Sequence, residues 1–182
     1  MENFTKVEKW IEKFKKAYPA FDYCPIQAEQ IVFEERVKLL CSTCAKYNRK
    51  KRCPPFHDGI QYEKAIREYE NMLLVINCCR LTKDNFDEVR EESAKTLHMD
   101  MVRMEKMLLE AGACMAISFI AGACRICREG CPPSGKPCRH PEQSRFSMEA
   151  IGINVVKTLK NVNRDISFPV QEEMYRIGLL LW

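Results

Sequence analysis

Four cysteines are gathered in one short stretch of the chain, between residues 122 and 140. Cys124, Cys127, Cys131 and Cys138 have the spacing C-x2-C-x3-C-x6-C. Glycines and prolines between them keep the stretch out of regular helix and strand, so the thiols are free to turn inward. Thiolates are ligands of zinc and of iron–sulfur clusters. We therefore predict a metal-binding loop over residues 122–140.

The spacing favours an iron–sulfur cluster over zinc. Zinc sites favour two cysteine pairs separated by a longer arm, whereas this run is compact and sequential, as in loops that wrap clusters. Cys131 is followed by proline, as is a cluster cysteine of bacterial ferredoxins, although there it is the fourth of the run. The expected cofactor is an iron–sulfur cluster of the [4Fe-4S] type, in one or two copies. Zinc is the alternative, and unliganded thiols are a third interpretation.

A second group of three cysteines lies earlier in the chain. Cys41 and Cys44 repeat the C-x2-C spacing, and Cys53, like Cys131, is followed by two prolines. This short internal repeat indicates a second ligand loop over residues 41–55 with the same motifs as the first. The candidate metal ligands are therefore Cys124, Cys127, Cys131, Cys138, Cys41, Cys44 and Cys53.

The fourth ligand of this earlier group is open, and its identity would decide the chemistry. If Cys78 or Cys79 completes the group, both centres are closed, which suits electron transfer or a structural role. If His57 completes it, the pattern becomes C-x2-C-x8-C-x3-H, a plausible zinc site. If no side chain completes it, one iron keeps an open position and could act as a Lewis acid on a small substrate. All seven cysteines could also serve a single cluster region.

Length and composition indicate a single domain over residues 1–182. A chain of 182 residues with 46% hydrophobic content can bury a core without help from a metal, so a metal here would be functional. The net charge of +4 is too small to indicate nucleic-acid binding. Basic residues are nevertheless concentrated in Lys46–Arg52 and around the 122–140 loop. They form a solvated surface, or offset the negative charge of thiolate clusters, or contact RNA or another anion.

Cysteine usage and the first residues indicate where the protein works. The number of cysteines, 11, is odd, and residues 1–16 carry charges throughout instead of the apolar segment of a signal peptide. The longest uncharged run, residues 111–124, is too short to span a membrane. We therefore expect a cytoplasmic protein without membrane contact, in which clustered cysteines bind metal. A redox partner protein is expected, and the oligomeric state is open.

Hydrophobic periodicity predicts the elements that position the cysteines. Residues 1–20 contain an amphipathic helix, and further helices are predicted over 58–70, 84–112, 141–150 and 154–163. Strands are predicted over 30–40, 72–79, 113–120 and 175–182, the last as an edge strand. This alternation favours an α/β fold with a small, largely parallel sheet flanked by helices. The cysteine loops are then expected at the carboxyl ends of the strands, where such sheets bind ligands.

The same geometry sorts the remaining cysteines. Cys78 and Cys79 follow a strand and are expected at the ligand end of the sheet. Cys114 begins a strand and is predicted to be a core thiol at the opposite end, and Cys24 is predicted to serve packing. Glu149 is interpreted as an ion-pair partner of Arg139 or Arg145. No nucleophile–base signature, phosphate loop or dinucleotide fingerprint is found.

Several of these segments resemble a widespread prokaryotic domain-of-unknown-function family described as predicted metal-binding proteins. The matching motifs are C-x2-C-x2-Y with C-P-P from Cys41 to Pro55, G-x-C-x2-C from Gly122, G-x-P-C-R-H-P from Gly135, and S-M-E-A-x-G-I from Ser147. The resemblance implies a cysteine-ligated metal, an iron–sulfur cluster in the first instance, and names no reaction.

The function expected from the sequence is therefore that of an iron–sulfur protein with a redox or electron-transfer role. An iron–sulfur enzyme that uses an open cluster iron on a small substrate is the first alternative. A zinc-dependent binding module, with nucleic acid as a disfavoured partner, is the second. Whether the protein is an enzyme is open.

Overall fold

The computed structural model describes residues 2–133, 135–166 and 170–182. Along the chain the helices are α1 (Glu2–Ala17), α2 (Glu35–Ser42), α3 (Tyr62–Arg67), α4 (Phe86–Glu110) and α5 (Val155–Lys160), with short 3-10 turns at Ala28–Gln30 and Glu149–Ile151. The strands are β1 (Asp22–Pro25), β2 (Met72–Arg80), β3 (Ile117–Phe119) and β4 (Glu173–Leu181). The chain thus has the α/β composition that the sequence predicts.

The sheet is antiparallel throughout, so the predicted largely parallel sheet is wrong. Its strand order is β1-β2-β4-β3, and each neighbouring pair runs in opposite directions. The apolar run of β2 correctly indicates a strand buried on both faces, but such a run does not specify the direction of its neighbours. Because β2 and β3 are both antiparallel to β4, they run in the same direction. Phe119 at the carboxyl end of β3 is nevertheless level with Leu74, near the start of β2, and not with Arg80.

Strand β4 is interior, so the prediction of a final edge strand is also wrong. Leu181 is paired with Met72 of β2 on one side and with Ile117 of β3 on the other. The hydrophobic sequence of β4 reflects burial between two neighbours and not exposure at an edge. The two edges of the sheet are β1 and β3.

The segment over residues 30–40 does not form the predicted first strand. Residues 35–42 form helix α2, and the first strand is instead β1, which contains Cys24. Helix α2 has no buried residue, and Leu39 and Leu40 are exposed on it. The apolar residues of α2 therefore belong to a surface helix and not to a half-buried strand, whereas Ile31 before it packs into the core.

Two hydrophobic layers cover the two faces of the sheet. Alternate side chains of β2 point into opposite layers, because successive residues of a strand face opposite sides. Helices α1 and α4 cover one face through Phe14, Leu97 and Met104. The short helices α3 and α5 and the Glu149–Ile151 turn cover the other face through Ile66, Leu159 and Ile151. This sheet supports both cysteine loops.

Within residues 2–133, 135–166 and 170–182, no helix is both long and apolar enough to cross a membrane.

Candidate metal centre

The larger cysteine loop leaves the sheet at the end of β3 and returns beside it. The Ile120 amide donates to the Phe146 carbonyl at 2.9 Å, and the Met148 amide donates to the Ile120 carbonyl at 3.1 Å. These two bonds close the base of the loop, so the segment between them is held at the carboxyl end of β3 without belonging to a helix or strand.

The four cysteines of this loop line one small cavity. Cys124, Cys127, Cys131 and Cys138 share it with His140, Ser144 and the side chains of Lys50, Lys51 and Arg52. Cys124 is buried, and burial raises the pKa of its thiol, with further increases from the nearby Cys131 and Cys138 and an opposing effect of the Lys50 ammonium. The structure therefore brings together the four residues that the spacing assigned to one site.

The basic run inside the earlier cysteine group, between Cys44 and Cys53, connects the two loops. Lys50 Nζ donates to the Cys124 carbonyl at 2.8 Å, and Lys51 Nζ donates to the Pro133 carbonyl at 3.1 Å. Arg52 Nε donates to Ser144 Oγ at 2.8 Å. Three cations thus face the cysteine cavity, which favours the interpretation that they offset thiolate charge over the interpretation that they form a nucleic-acid surface.

The earlier cysteine group adjoins the larger loop. Cys41 lies in the last turn of α2, while Cys44 and Cys53 lie in the turns that follow. Burial, followed by the neighbouring Cys44, raises the pKa of Cys53 to about 11, and Cys41 and Cys131 add to the increase. Because Cys131 belongs to the larger loop, the two groups are close enough to influence one another.

Glu149 lies between the two groups. Cys41 Sγ is 3.9 Å from the Glu149 carbonyl oxygen, and the Glu149 carboxylate accepts the Gly122 amide at 3.4 Å. The predicted ion pair of Glu149 with Arg139 or Arg145 is absent from the described residues, and Arg145 instead pairs with Glu105 of α4. A single residue therefore contacts both cysteine segments, a role for which the sequence has no recognisable signal.

The other cysteines lie outside the two groups. Cys78 and Cys79 are within β2, where they are paired in register with Tyr175 and Met174. Cys114 lies before β3 instead of beginning it and is exposed, so its prediction as a core thiol is wrong. The turn that leads into β3 leaves its side chain outside both hydrophobic layers.

The donors fit a thiophilic metal, although they are not yet at coordination distances. Among the described residues, no three Cys, His, Asp or Glu side chains are spaced to hold one metal ion. Four thiols around one cavity nevertheless provide the all-sulfur donor set that zinc and iron–sulfur clusters prefer. Cys124, Cys127, Cys131 and Cys138 would hold the group.

Comparison with protein families agrees with this chemistry. The family described as predicted metal-binding protein (DUF2284) matches residues 24–182, which include both cysteine groups and all four strands except the first residues of β1. The chain belongs to this family. No curated protein matches the chain, and no solved structure matches it. The DUF2284 assignment leaves α1 outside the match and covers every candidate ligand.

The end of the DUF2284 loop is anchored to α4 by two buried contacts that sequence reasoning missed. Glu105 accepts Arg145 Nε at 2.8 Å and also accepts the Ser118 hydroxyl at 2.8 Å. His98 Nε2 donates to the Gln143 carbonyl at 3.0 Å. The polar residues of α4 interrupt its apolar pattern, and that interruption is the signal that could have revealed these anchors.

The stability of the protein is expected to fall as the pH drops below about 6.5, in part because of His98. Burial lowers the pKa of His98 below its ordinary value, with a further lowering by Arg145 and an opposing effect of the Gln143 bond. In this range the unfolded chain binds more protons than the folded one, so the free energy of unfolding decreases with decreasing pH. One such group contributes at most about 1.4 kcal/mol per pH unit.

Urea unfolding of the wild type and of His98→Gln between pH 7.5 and pH 5.5 measures this effect. The variant should lose less stability over the interval than the wild type. The matched control is His57→Gln, because His57 is exposed, and it should follow the wild-type profile. Equal slopes for the wild type and His98→Gln would contradict the assignment.

Proposed function

We propose that this protein binds an iron–sulfur cluster through Cys124, Cys127, Cys131 and Cys138 and transfers electrons through it. The observation that carries the proposal is that four thiols of one loop line a single cavity which three cations face. When bound, the cluster would supply one-electron chemistry, since its iron changes oxidation state.

The surroundings of the thiols support a charged thiolate site. Deprotonated cysteines concentrate negative charge, and cations close to them stabilise that charge. Lys50 and Lys51 are fixed by hydrogen bonds to the backbone of the cysteine loop, so their positive charges stay beside it. The sequential spacing of the four cysteines favours a cluster over a zinc ion, for which paired knuckles are more typical.

Metal analysis of the anaerobically purified full chain tests the proposal. Iron, acid-labile sulfide and zinc are counted per chain together with the visible absorption spectrum. About four irons with four sulfides would indicate one cubane cluster, and about eight of each would indicate two. Zinc without sulfide would overturn the redox function. It would leave a binding module, whose affinity for nucleic acid should then fall steeply with salt.

A cluster with an open iron is the second candidate, supported by the earlier cysteine group. Cys41, Cys44 and Cys53 provide three thiols, while Cys78 and Cys79 lie within β2. A centre with three ligands could present one iron to a small molecule as a Lewis acid. Addition of cyanide to the reduced protein, followed by electron paramagnetic resonance, separates the candidates: a changed signal supports the open iron, and an unchanged signal supports closed centres.

Removal of the Lys50 charge is expected to lower the reduction potential of the cluster. The Lys50 ammonium bonds to the Cys124 carbonyl, and a nearby cation favours the more negative, reduced state. We expect Lys50→Met to lower the potential by on the order of 60 mV, which is a tenfold change for one electron. Lys46→Met is the control, since Lys46 is exposed in the same basic run. Equal potentials in the two variants would contradict a role for Lys50.

A further inference from the structure

A second and larger cavity lies at the open side of β4. Strand β3 pairs with Leu179–Leu181 of β4. Among the described residues, no strand pairs with Met174–Ile177 on that same side of β4. Helices α2 and α5 and the start of α4 flank this gap and border an open cavity of about 470 Å³. This volume is within the range of small-molecule sites in proteins.

The walls of this cavity are mainly apolar. They are formed by side chains from four elements, including Leu40, Phe86, Val156, Met174 and Ile177. Leu40 and Phe86 are 69% and 45% exposed, so apolar surface continues from the cavity to its rim. Apolar walls with a few polar groups are typical of sites that bind small organic molecules.

The cavity also contains a guanidinium group that has no carboxylate partner. Arg176 donates to Ser93 Oγ at 3.2 Å and to the Arg90 carbonyl at 2.9 Å. Within the part of the chain that the structure describes, no Asp or Glu oxygen lies within 4.0 Å of it. The neighbouring Arg90 and Arg125 pair with Asp87 and Glu91.

Arg176 lies where a charge without a partner is unfavourable. Arg176 is half-buried on β4, and burial of an unpaired charge is costly. A ligand anion would remove that cost. Arg90 and Glu149 are the other charged residues that line the cavity. Arg90 is paired with Asp87, whereas no cation lies within ion-pair distance of Glu149 among the described residues. A ligand that carries an ammonium group beside its carboxylate could therefore contact both residues.

We propose that this cavity binds a small carboxylic acid with an apolar chain, the carboxylate on Arg176 and the chain against the apolar walls. A guanidinium binds a carboxylate through two parallel hydrogen bonds, which fixes the orientation of the ligand. None of the candidate metal ligands lines this cavity, so binding of the acid does not depend on which metal the cysteines hold.

Calorimetric titration of the full chain with three matched compounds tests the proposal. Octanoate carries the carboxylate, octanamide is its neutral analogue, and 2-aminooctanoate adds the ammonium group. Octanoate or 2-aminooctanoate should bind at one site per chain, and octanamide should bind at least about tenfold more weakly. If 2-aminooctanoate binds more tightly than octanoate, its ammonium group contacts Glu149. If octanoate binds more tightly, the site recognises the carboxylate without the ammonium group.

Two variants identify the site. Arg176→Gln should weaken binding of the better carboxylate at least about tenfold, whereas Arg164→Gln should leave it unchanged, because Arg164 pairs with the exposed Asp22. Val156→Trp should abolish binding because its side chain fills the cavity. If circular dichroism shows that Arg176→Gln is unfolded, Val156→Trp provides the test of the site.

Three results would overturn the proposal: no saturable binding of either carboxylate, equal binding of octanamide, or unchanged binding by folded Arg176→Gln and Val156→Trp. Metal counts on the same samples keep this result separate from that of the proposed function.

Discussion

Cys127→Ser is expected to remove most of the bound metal. Cys127 is one of four thiols around the same cavity, and a serine hydroxyl is a much poorer ligand than a thiolate for zinc or iron–sulfur clusters. Removal of a residue that only hydrogen-bonds to a metal ligand weakens metal affinity by about 10- to 100-fold, so removal of the ligand itself should weaken it at least as much. Iron, sulfide and zinc counts on anaerobic protein measure the effect.

Cys114→Ser is the matched control for this substitution. Cys114 is exposed and lies in the turn before β3, whereas the cysteine loop follows β3. Its removal should leave the metal content nearly unchanged. If Cys114→Ser lost the metal and Cys127→Ser kept it, the assignment of the ligand loop would have to be abandoned.

Arg145→Ala is expected to destabilise the fold by about 3–5 kcal/mol, because it leaves a buried carboxylate without its cation. Glu105 is 5% exposed and would retain only its bond from Ser118. The measurement is the free energy of unfolding in urea. Glu105→Met combined with Arg145→Met should cost less than Arg145→Ala alone, since no buried charge then remains.

Arg103→Ala provides the comparison for this experiment. Arg103 pairs with Asp100 on the same helix, but its side chain is 61% exposed. Exposed pairs contribute about 0–1 kcal/mol, so this variant should be close to the wild type. If Arg103→Ala and Arg145→Ala lowered the free energy of unfolding by similar amounts, burial of the Glu105–Arg145 pair would not determine its contribution to stability.

The sequence predicts elements better than it predicts their arrangement. The uncharged run at residues 72–79 indicates β2 because a strand covered on both faces needs apolar side chains throughout. The direction of its neighbours depends on pairing with residues about a hundred positions away in the chain, such as Leu181 opposite Met72. Alternation of helices and strands suggested parallel strands, but β4 inserts between β2 and β3 and makes each pair antiparallel.

The sequence likewise predicts only part of the candidate site. The spacing of Cys124, Cys127, Cys131 and Cys138 predicts that they share a site, because ligands close in sequence are held by one loop. The approach of Cys53 to Cys131 and the position of Glu149 between the loops depend on tertiary packing. No local pattern encodes such contacts, although the basic run at Lys50–Arg52 correctly indicates cations near the thiols.

The central place of β4 has a consequence for how the protein is made. A ribosome delivers residues 173–181 after every other strand and after all the cysteines. Until then β2 and β3 have no common partner, and both cysteine loops project from an incomplete sheet. Contacts between residues distant along the chain form slowly, so the cysteines of the nascent chain are exposed before the sheet that supports them has formed. We therefore expect the sheet that supports both cysteine loops to be complete only after β4 has been synthesised.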